Sequence, residues 1–213
     1  MTKSNSFRAP SKESRHSDMH VRQFIQEFYP EYYSWNEYPA SHTVSFCKVK
    51  DQYGIFSNFA LTPIVVDGVT FSSVESLFQV MKFTDTGARR EIYSKAGQGL
   101  KMTAKHYEKT VGVRPDWGIL LVDALKQVLM LKFEQSPEFR KELAATGNKF
   151  IVEDQNSFRK PADTYGAKLT PDGKSWSGPN LMGRLLMELR DKNGKLELSH
   201  QPPADLLDFK DLL

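Results

Sequence analysis

The stretch Phe71-Ser-Ser-Val-Glu-Ser-Leu-Phe-Gln-Val-Met-Lys-Phe83 decides how the rest of the chain is read. Ser72 and Ser73 stand just before an apolar run with helical spacing, so either can cap a helix, and Ser72 with Glu75 fits the capping-box pattern. At roughly 100° per residue, Glu75, Gln79 and Lys82 fall within about 60° of one another on one helical face. Val74, Leu77, Phe78, Val80 and Met81 take a separate arc. A carboxylate, an amide and an amine are therefore aligned beside an apolar wall, which suits chemistry on a sugar or a carbonyl. The solvated rim of an ordinary amphipathic helix has the same pattern.

Working outward, residues 63–71 read as a β-hairpin turning at Asp67-Gly68. Before it, residues 54–59 form a loop with buried aromatics. There Ser57 and Asn58 either face a ligand or make an Asn-stabilised turn. Residues 43–49 alternate like a strand. Helical patterns follow at 88–95, 98–107, 115–135 and 137–146, then a short strand at 149–152. Residues 154–178 are polar and rich in Gly, Pro and Asp, so they read as one long loop, and a last helix covers 179–191. The expectation is one α+β domain, mostly helical, with a small β-sheet or hairpin near its N-terminal part. Its predicted parts are a disordered tail (1–20), an aromatic-rich extension (21–42), the domain proper (43–192) and a charged C-terminal tail (193–213).

Composition narrows the function classes. The chain has 213 residues, 39% of them hydrophobic, enough for one sizeable core. A net charge of +3 suits anionic small molecules without demanding nucleic acid. The lone cysteine, Cys47, excludes an internal disulfide and fits a reducing compartment, and no Cys/His cluster has zinc-ligand spacing. No apolar run reaches membrane-spanning length and no signal-peptide core opens the chain, so the expectation is a cytoplasmic protein with no membrane partner.

Four further features carry two readings each. The cluster Tyr29, Tyr32, Tyr33, Trp35 and Tyr38 either packs the extension onto the domain or forms a base-stacking platform. Trp117, at a helix start, either fills the core or stacks on a heterocycle. Ser177-Gly178-Pro179-Asn180-Leu-Met-Gly183 opens the last helix. Free N–H groups and the positive dipole end there suit a phosphate, though ordinary helices begin this way too. Glu153, Asp154, Asp163 and Asp172 lie in or beside the long loop, and any of them facing Glu75 across a cleft would matter.

These pieces in order resemble the NADAR family, which is typified by an N-glycosidase of riboflavin-biosynthesis intermediates. The matching residues are Tyr53-Gly54-Ile-Phe-Ser-Asn-Phe59, Val66-Asp67-Gly68, Val74-Glu75-Ser-Leu-Phe78-Gln79 with Lys82-Phe83, Trp117, Lys132-Phe133-Glu134-Gln135, and Asn180-Leu-Met-Gly183 through Arg190. The likeness spans about residues 43–192. One departure is the acid before the aromatic-Gly pair: Asp163 precedes Tyr165-Gly166 with a spacing one residue off, and Tyr165 stands where tryptophan is common.

The resemblance implies cleavage of a bond between ribose and a base. The substrate is either a 5-phosphoribosylamino-pyrimidine of riboflavin synthesis or ADP-ribose on guanine in nucleic acid. No cofactor or metal is implied. On that basis Glu75 serves in proton transfer or charge stabilisation, and Lys82 as an amine nucleophile that forms a Schiff base. Gln79 orients the ribose, Trp117 stacks on the base, and Asn58 and Asn180 hold polar groups, with Gly183 and Asp163 beside them. A non-catalytic module that binds ADP-ribose or a nucleotide would keep the cleft without needing Glu75.

Overall fold

The computed structural model describes residues 18–158 and 161–213, with side chains from residue 21 onward in the first segment. The tail expected at 1–20 lies outside the described residues up to 17. Residues 18–20 of that expected tail are helical, in α1, Asp18–Phe28, which buries Ile25, and Tyr29 just past its end is buried too.

The molecule is organised around α5, Trp117–Gln135, which touches α1, α2, α6, α7 and β3. Leu120, Leu121, Val122, Ala124, Leu125, Val128 and Leu129 are all buried, more than one face of the helix. A helix that is apolar nearly all round belongs in the middle of a core. Around it lie α2 (Val74–Met81), α3 (Thr86–Tyr93), α4 (Gly97–Thr110), α6 (Pro137–Ala145) and α7 (Leu181–Asp191). The fold is α+β, as expected.

The strands form three small sheets. The hairpin β3 (Ile64–Val66) and β4 (Val69–Phe71) turns at Asp67 and Gly68, both at positive φ, as a two-residue turn of this kind requires. Strand β2 (Thr43–Phe46) pairs in parallel with β5 (Phe150–Glu153), placing Phe46 opposite Glu153. A third sheet has the order β1 (Asn36–Pro39), β7 (Ser175–Gly178), β6 (Lys168–Leu169).

This last sheet corrects the reading of 154–178 as one loop. Strand β7 pairs with β1 so that Trp176 faces Tyr38. The two strands are too short for a period-2 pattern to stand out, and their partner lies far away in sequence. The 193–213 segment is likewise no free tail. Leu196, Leu206 and Phe209 are buried, and the Phe209 ring sits 4.8 Å from that of Phe71. Arg89 of α3 meets Asp211 at 3.0 Å. The apolar residues that dock this segment are spaced among acids and prolines, which hides them from a charge-based reading.

Candidate active site

The site is built on a clamped loop and a capped helix. Residues 54–59 are held against neighbouring backbone: a Cβ on Gly54 would lie 2.1 Å from Val49 O. Phe56 is fully buried with its ring 6.0 Å from those of Phe46 and Phe139. From α5, Lys132 reaches the same loop, donating to Ile55 O at 2.5 Å and Ser57 O at 3.1 Å. Burial lowers its ammonium to about 7. The loop then passes its order to α2, because Asn58 O accepts the Glu75 N–H at 2.8 Å. That N–H is one of the donors a helix start leaves unpaired. Ser73 takes another, accepting from Ser76 N at 3.2 Å. Ser73 is thus the cap, and the Ser72–Glu75 capping box does not form.

Glu75 and Gln79 are both buried, at 7% and 5% exposure. Gln79 Nε2 donates to Glu75 Oε1 at 2.7 Å. Four polar side-chain atoms nearby in the fold or sequence are shut from solvent without a partner: Asn58 Oδ1, Ser76 Oγ, Gln79 Oε1 and Glu153 Oε2. Such atoms are costly in a core and are expected where a ligand completes them.

Across from α2, the end of β5 brings Glu153 to the same place. Burial first, then the like charges of Asp163 and Glu75, push its carboxyl up to about 8 against the opposing charge of Lys101 on α4. Asp163 is fixed from two sides: its carboxylate accepts from Gln155 Nε2 and from Tyr165 N, and its own N–H donates to Gln155 Oε1 at 2.8 Å. Of the four loop acids, Glu153 thus feels the charge of Glu75, and Asp163 acts on Glu153. Asp154 instead accepts from Asn156 N, and Asp172 closes a local turn with Thr170.

The start of α7 has a different task from the phosphate cradle its sequence suggests. Asn180 N, Leu181 N and Met182 N donate to the carbonyls of Gly166, Thr164 and Tyr165 at 3.0–3.1 Å. Asn180 is fully buried at φ 52°, and its amide spans β5, donating to Ile151 O at 2.9 Å and accepting from Glu153 N at 3.2 Å. Gly183 lets α7 lie on that strand: a Cβ there would be 2.0 Å from Ile151 O. Both residues therefore position β5, and with it Glu153, rather than presenting groups of their own. Asn58 Nδ2 lies 3.9 Å from Met182 Sδ, joining the first loop to the same helix.

Lys82 stands at the C-cap of α2. Its Nζ is 3.0 Å from Glu108 Oε1, with both side chains largely buried. The same ammonium lies 5.5 Å from the Phe78 ring and 6.0 Å from that of Trp117. Trp117 is buried, its ring 5.2 Å from Phe78. The structure thus joins Glu75 directly to Gln79 and places Lys82 in a neighbouring aromatic corner with an acid of its own. Glu108 and Lys101, both on α4, are contributions that the sequence reading did not single out, and Lys132 entered it only as part of a family motif, with no role assigned. Helical spacing shows which residues share a face of one helix, and these partners come from other helices.

A surface cleft of about 640 Å³ between Tyr53, Pro63 and Glu138 borders the loop at Gly54 and Ile55, and neither Glu75 nor Glu153 lines it. Among the described residues no group of three or more His, Cys, Asp or Glu could hold a metal ion, and no helix is long and apolar enough to cross a membrane.

Comparison with known proteins gives a consistent picture. N-glycosidase YbiA of Escherichia coli (strain K12) is 34% identical over 149 residues, covering 70% of this chain and 87% of that protein. Riboflavin biosynthesis protein VVA0006 of Vibrio vulnificus is 25% identical over 170 residues, covering 79% of this chain and 42% of that protein. The NMR structure of the E. coli protein YbiA superimposes with a TM-score of 0.56 at 34% identity, covering 71% of this chain and 84% of that one. Residues 45–192, which hold α2, β5 and the start of α7, match the NADAR domain, and this chain belongs to the NADAR family.

Proposed function

We propose that this protein hydrolyses the N-glycosidic bond between a phosphorylated ribose and a heterocyclic base, with 5-phosphoribosylamino-pyrimidines of riboflavin biosynthesis as its substrates in the cytoplasm. The observation that carries this reading is the buried Glu75 carboxylate, held by Gln79, whose own Oε1 is buried without a partner. Relatives named as an N-glycosidase and as a riboflavin biosynthesis protein support it.

In such a reaction positive charge develops at the anomeric carbon while the leaving base takes up a proton. Glu75 stabilises that charge or directs the incoming water. Gln79 Oε1 and Asn58 Oδ1 accept from ribose hydroxyls. Trp117 and Phe78 form the wall that meets the base. Lys101, exposed and 5.9 Å from the Phe59 ring, draws the phosphate. Asp163, Asn180 and Gly183 hold the opposite side in place. A covalent route through Lys82 requires a free amine, so Glu108 must first take its proton; the amine can then attack the opened sugar and form a Schiff base.

The test is release of free base from a phosphoribosylamino-pyrimidine, run beside ADP-ribosylated guanine in DNA. Release from the first and not the second is the expected result. Binding without release of any base would instead make the protein a nucleotide-binding module. Glu75→Gln is expected to be nearly inactive. Borohydride should trap substrate on Lys82 if the covalent route operates, and full activity in Lys82→Ala would end that route.

A further inference from the structure

We propose that Glu153 is the general acid of this site, giving its proton to the nitrogen of the leaving base. The inference rests on the N-glycosidase reading and adds to it a residue and a direction of proton flow.

Glu153 closes β5, and its main chain is fixed on both flanks. On one side β5 pairs with β2, with Asp154 N donating to Phe46 O at 2.8 Å. On the other, Asn180 accepts from Glu153 N at 3.2 Å. The carboxyl is therefore delivered by a rigid strand end rather than by a loop. Its Oε2 is buried with no partner.

The charged groups that act on it are Glu75 from α2, Asp163 from the chain beyond β5 and Lys101 from α4, while the Cys47 thiol just past β2 feels the charge of Glu153 in turn. Two of these are carboxylates, and two or more acids sharing a buried site do not all ionise together. Which one keeps the proton follows from the contacts. Glu75 accepts a hydrogen bond from Gln79, and Asp163 accepts from Gln155 and from Tyr165 N. Each of these two acids thus has a donor on its carboxylate. The orphaned Oε2 of Glu153 has no such donor, so the proton stays there. Burial and the two like charges push this carboxyl up to about 8, which keeps it protonated at neutral pH.

Acids alone do not make a site. Here Gln79 supplies an independent sign of a ligand. It is 95% buried by the complement of its 5% exposure, its Nε2 is committed to Glu75, and its Oε1 is left without a donor. A ribose hydroxyl would satisfy it.

The step balances as a hydrolysis. The C1′–N bond breaks, its electron pair leaves with the nitrogen, and that nitrogen takes the Glu153 proton. Water adds its oxygen to C1′ and gives one proton to Glu75. That proton passes to Glu153 and restores the starting state.

The experiment measures kcat and KM against pH for wild type and Glu153→Gln with a 5-phosphoribosylamino-pyrimidine. The wild-type kcat should fall as pH rises through about 8. E153Q should lose about 10²- to 10³-fold in kcat at pH 7, within the usual range for general acid catalysis, with KM little changed and the alkaline limb gone. Asp163→Asn should move that limb to lower pH, because removing a like charge eases ionisation of Glu153; a purely structural Glu153 would not produce that shift. If E153Q does not fold, Glu153→Asp replaces it and must keep an alkaline limb at reduced rate. An E153Q enzyme within tenfold of wild type, a retained limb in E153Q, or a flat profile in wild type or E153D overturns the proposal while leaving the N-glycosidase reading intact. A wild-type enzyme that releases no base from any ribosyl substrate overturns both.

Discussion

Gln79 lies one helical turn beyond Glu75 and donates to its carboxylate at 2.7 Å in a site closed to bulk water. The i, i+4 spacing puts the two side chains in register, and burial makes the contact count. Hydrogen bonds to charged groups are worth about 1.5–3 kcal/mol. Gln79→Ala should therefore lower kcat/KM by roughly 10- to 100-fold. Gln79→Glu should lower it further, since it sets a second carboxylate against the first. Steady-state kinetics on a ribosyl base substrate measures both. An unchanged kcat/KM in Gln79→Ala would mean that the pair plays no part in the reaction.

Lys132 makes stability depend on pH. Burial lowers its folded-state value to about 7, against roughly 10.4 in an unfolded chain. Between those values the unfolded chain holds more protons, so its contribution to stability grows as pH rises through that window and is smallest below it. Lys132→Met removes the buried charge but leaves the Ile55 and Ser57 carbonyls without their donor, at about 1–3 kcal/mol each. The variant should be clearly less stable than wild type at pH 9, with a gap that narrows or reverses at pH 6. Urea unfolding of both proteins at the two pH values gives the answer, and a gap that stays constant would contradict it.

Gly183 has no room for a side chain. The added Cβ of Gly183→Ala would press on Ile151 O at 2.0 Å and on the Asn180 amide at 2.5 Å. Overpacking of this kind costs about 1–3 kcal/mol, occasionally more. The variant should melt earlier, and because Asn180 holds the Glu153 main chain it should also lose kcat. A normal melting temperature together with normal kcat would show that α7 and β5 can slide apart freely.

Asp123 ties three segments together from the middle of α5. Its carboxylate accepts from Ser199 N at 2.9 Å and His200 N at 2.8 Å, lies 3.0 Å from the Tyr29 hydroxyl, and sits 3.7 Å from Lys126 Nζ. Asp123→Ala would leave Lys126 buried without its acid, and breaking a buried pair from one side costs roughly 3–5 kcal/mol. Chemical denaturation should show a loss of that size, with faster amide exchange at Ser199 and His200. A loss below about 1 kcal/mol would place this network among surface-type contacts.

Much of the local structure was legible from residue order. The hairpin was signalled by Asp67-Gly68, whose backbone must take positive φ. The start of α2 was signalled by its serines, and α5, Trp117–Gln135, by the apolar helical pattern over 115–135. Strands β6 and β7 were not legible, being two and four residues long, and β7 takes its other partner, β1, from far away in sequence. The phosphate reading of the α7 start failed for a related reason. Sequence shows that a helix begins there, but the carbonyls of 164–166 that occupy its N–H groups arrive through the fold.

The sequence by itself determined that Glu75, Gln79 and Lys82 share one face of a capped helix, because helical periodicity and capping act over three or four residues. Tertiary structure alone decided that the Glu75–Gln79 pair is buried, that Lys82 turns to Glu108, and that Glu153 comes in from a strand 78 positions beyond Glu75. The physical reason is range. Hydrogen-bonded helical geometry is fixed by near neighbours, whereas burial and the meeting of like charges depend on how distant segments pack, and these set the protonation state of the site.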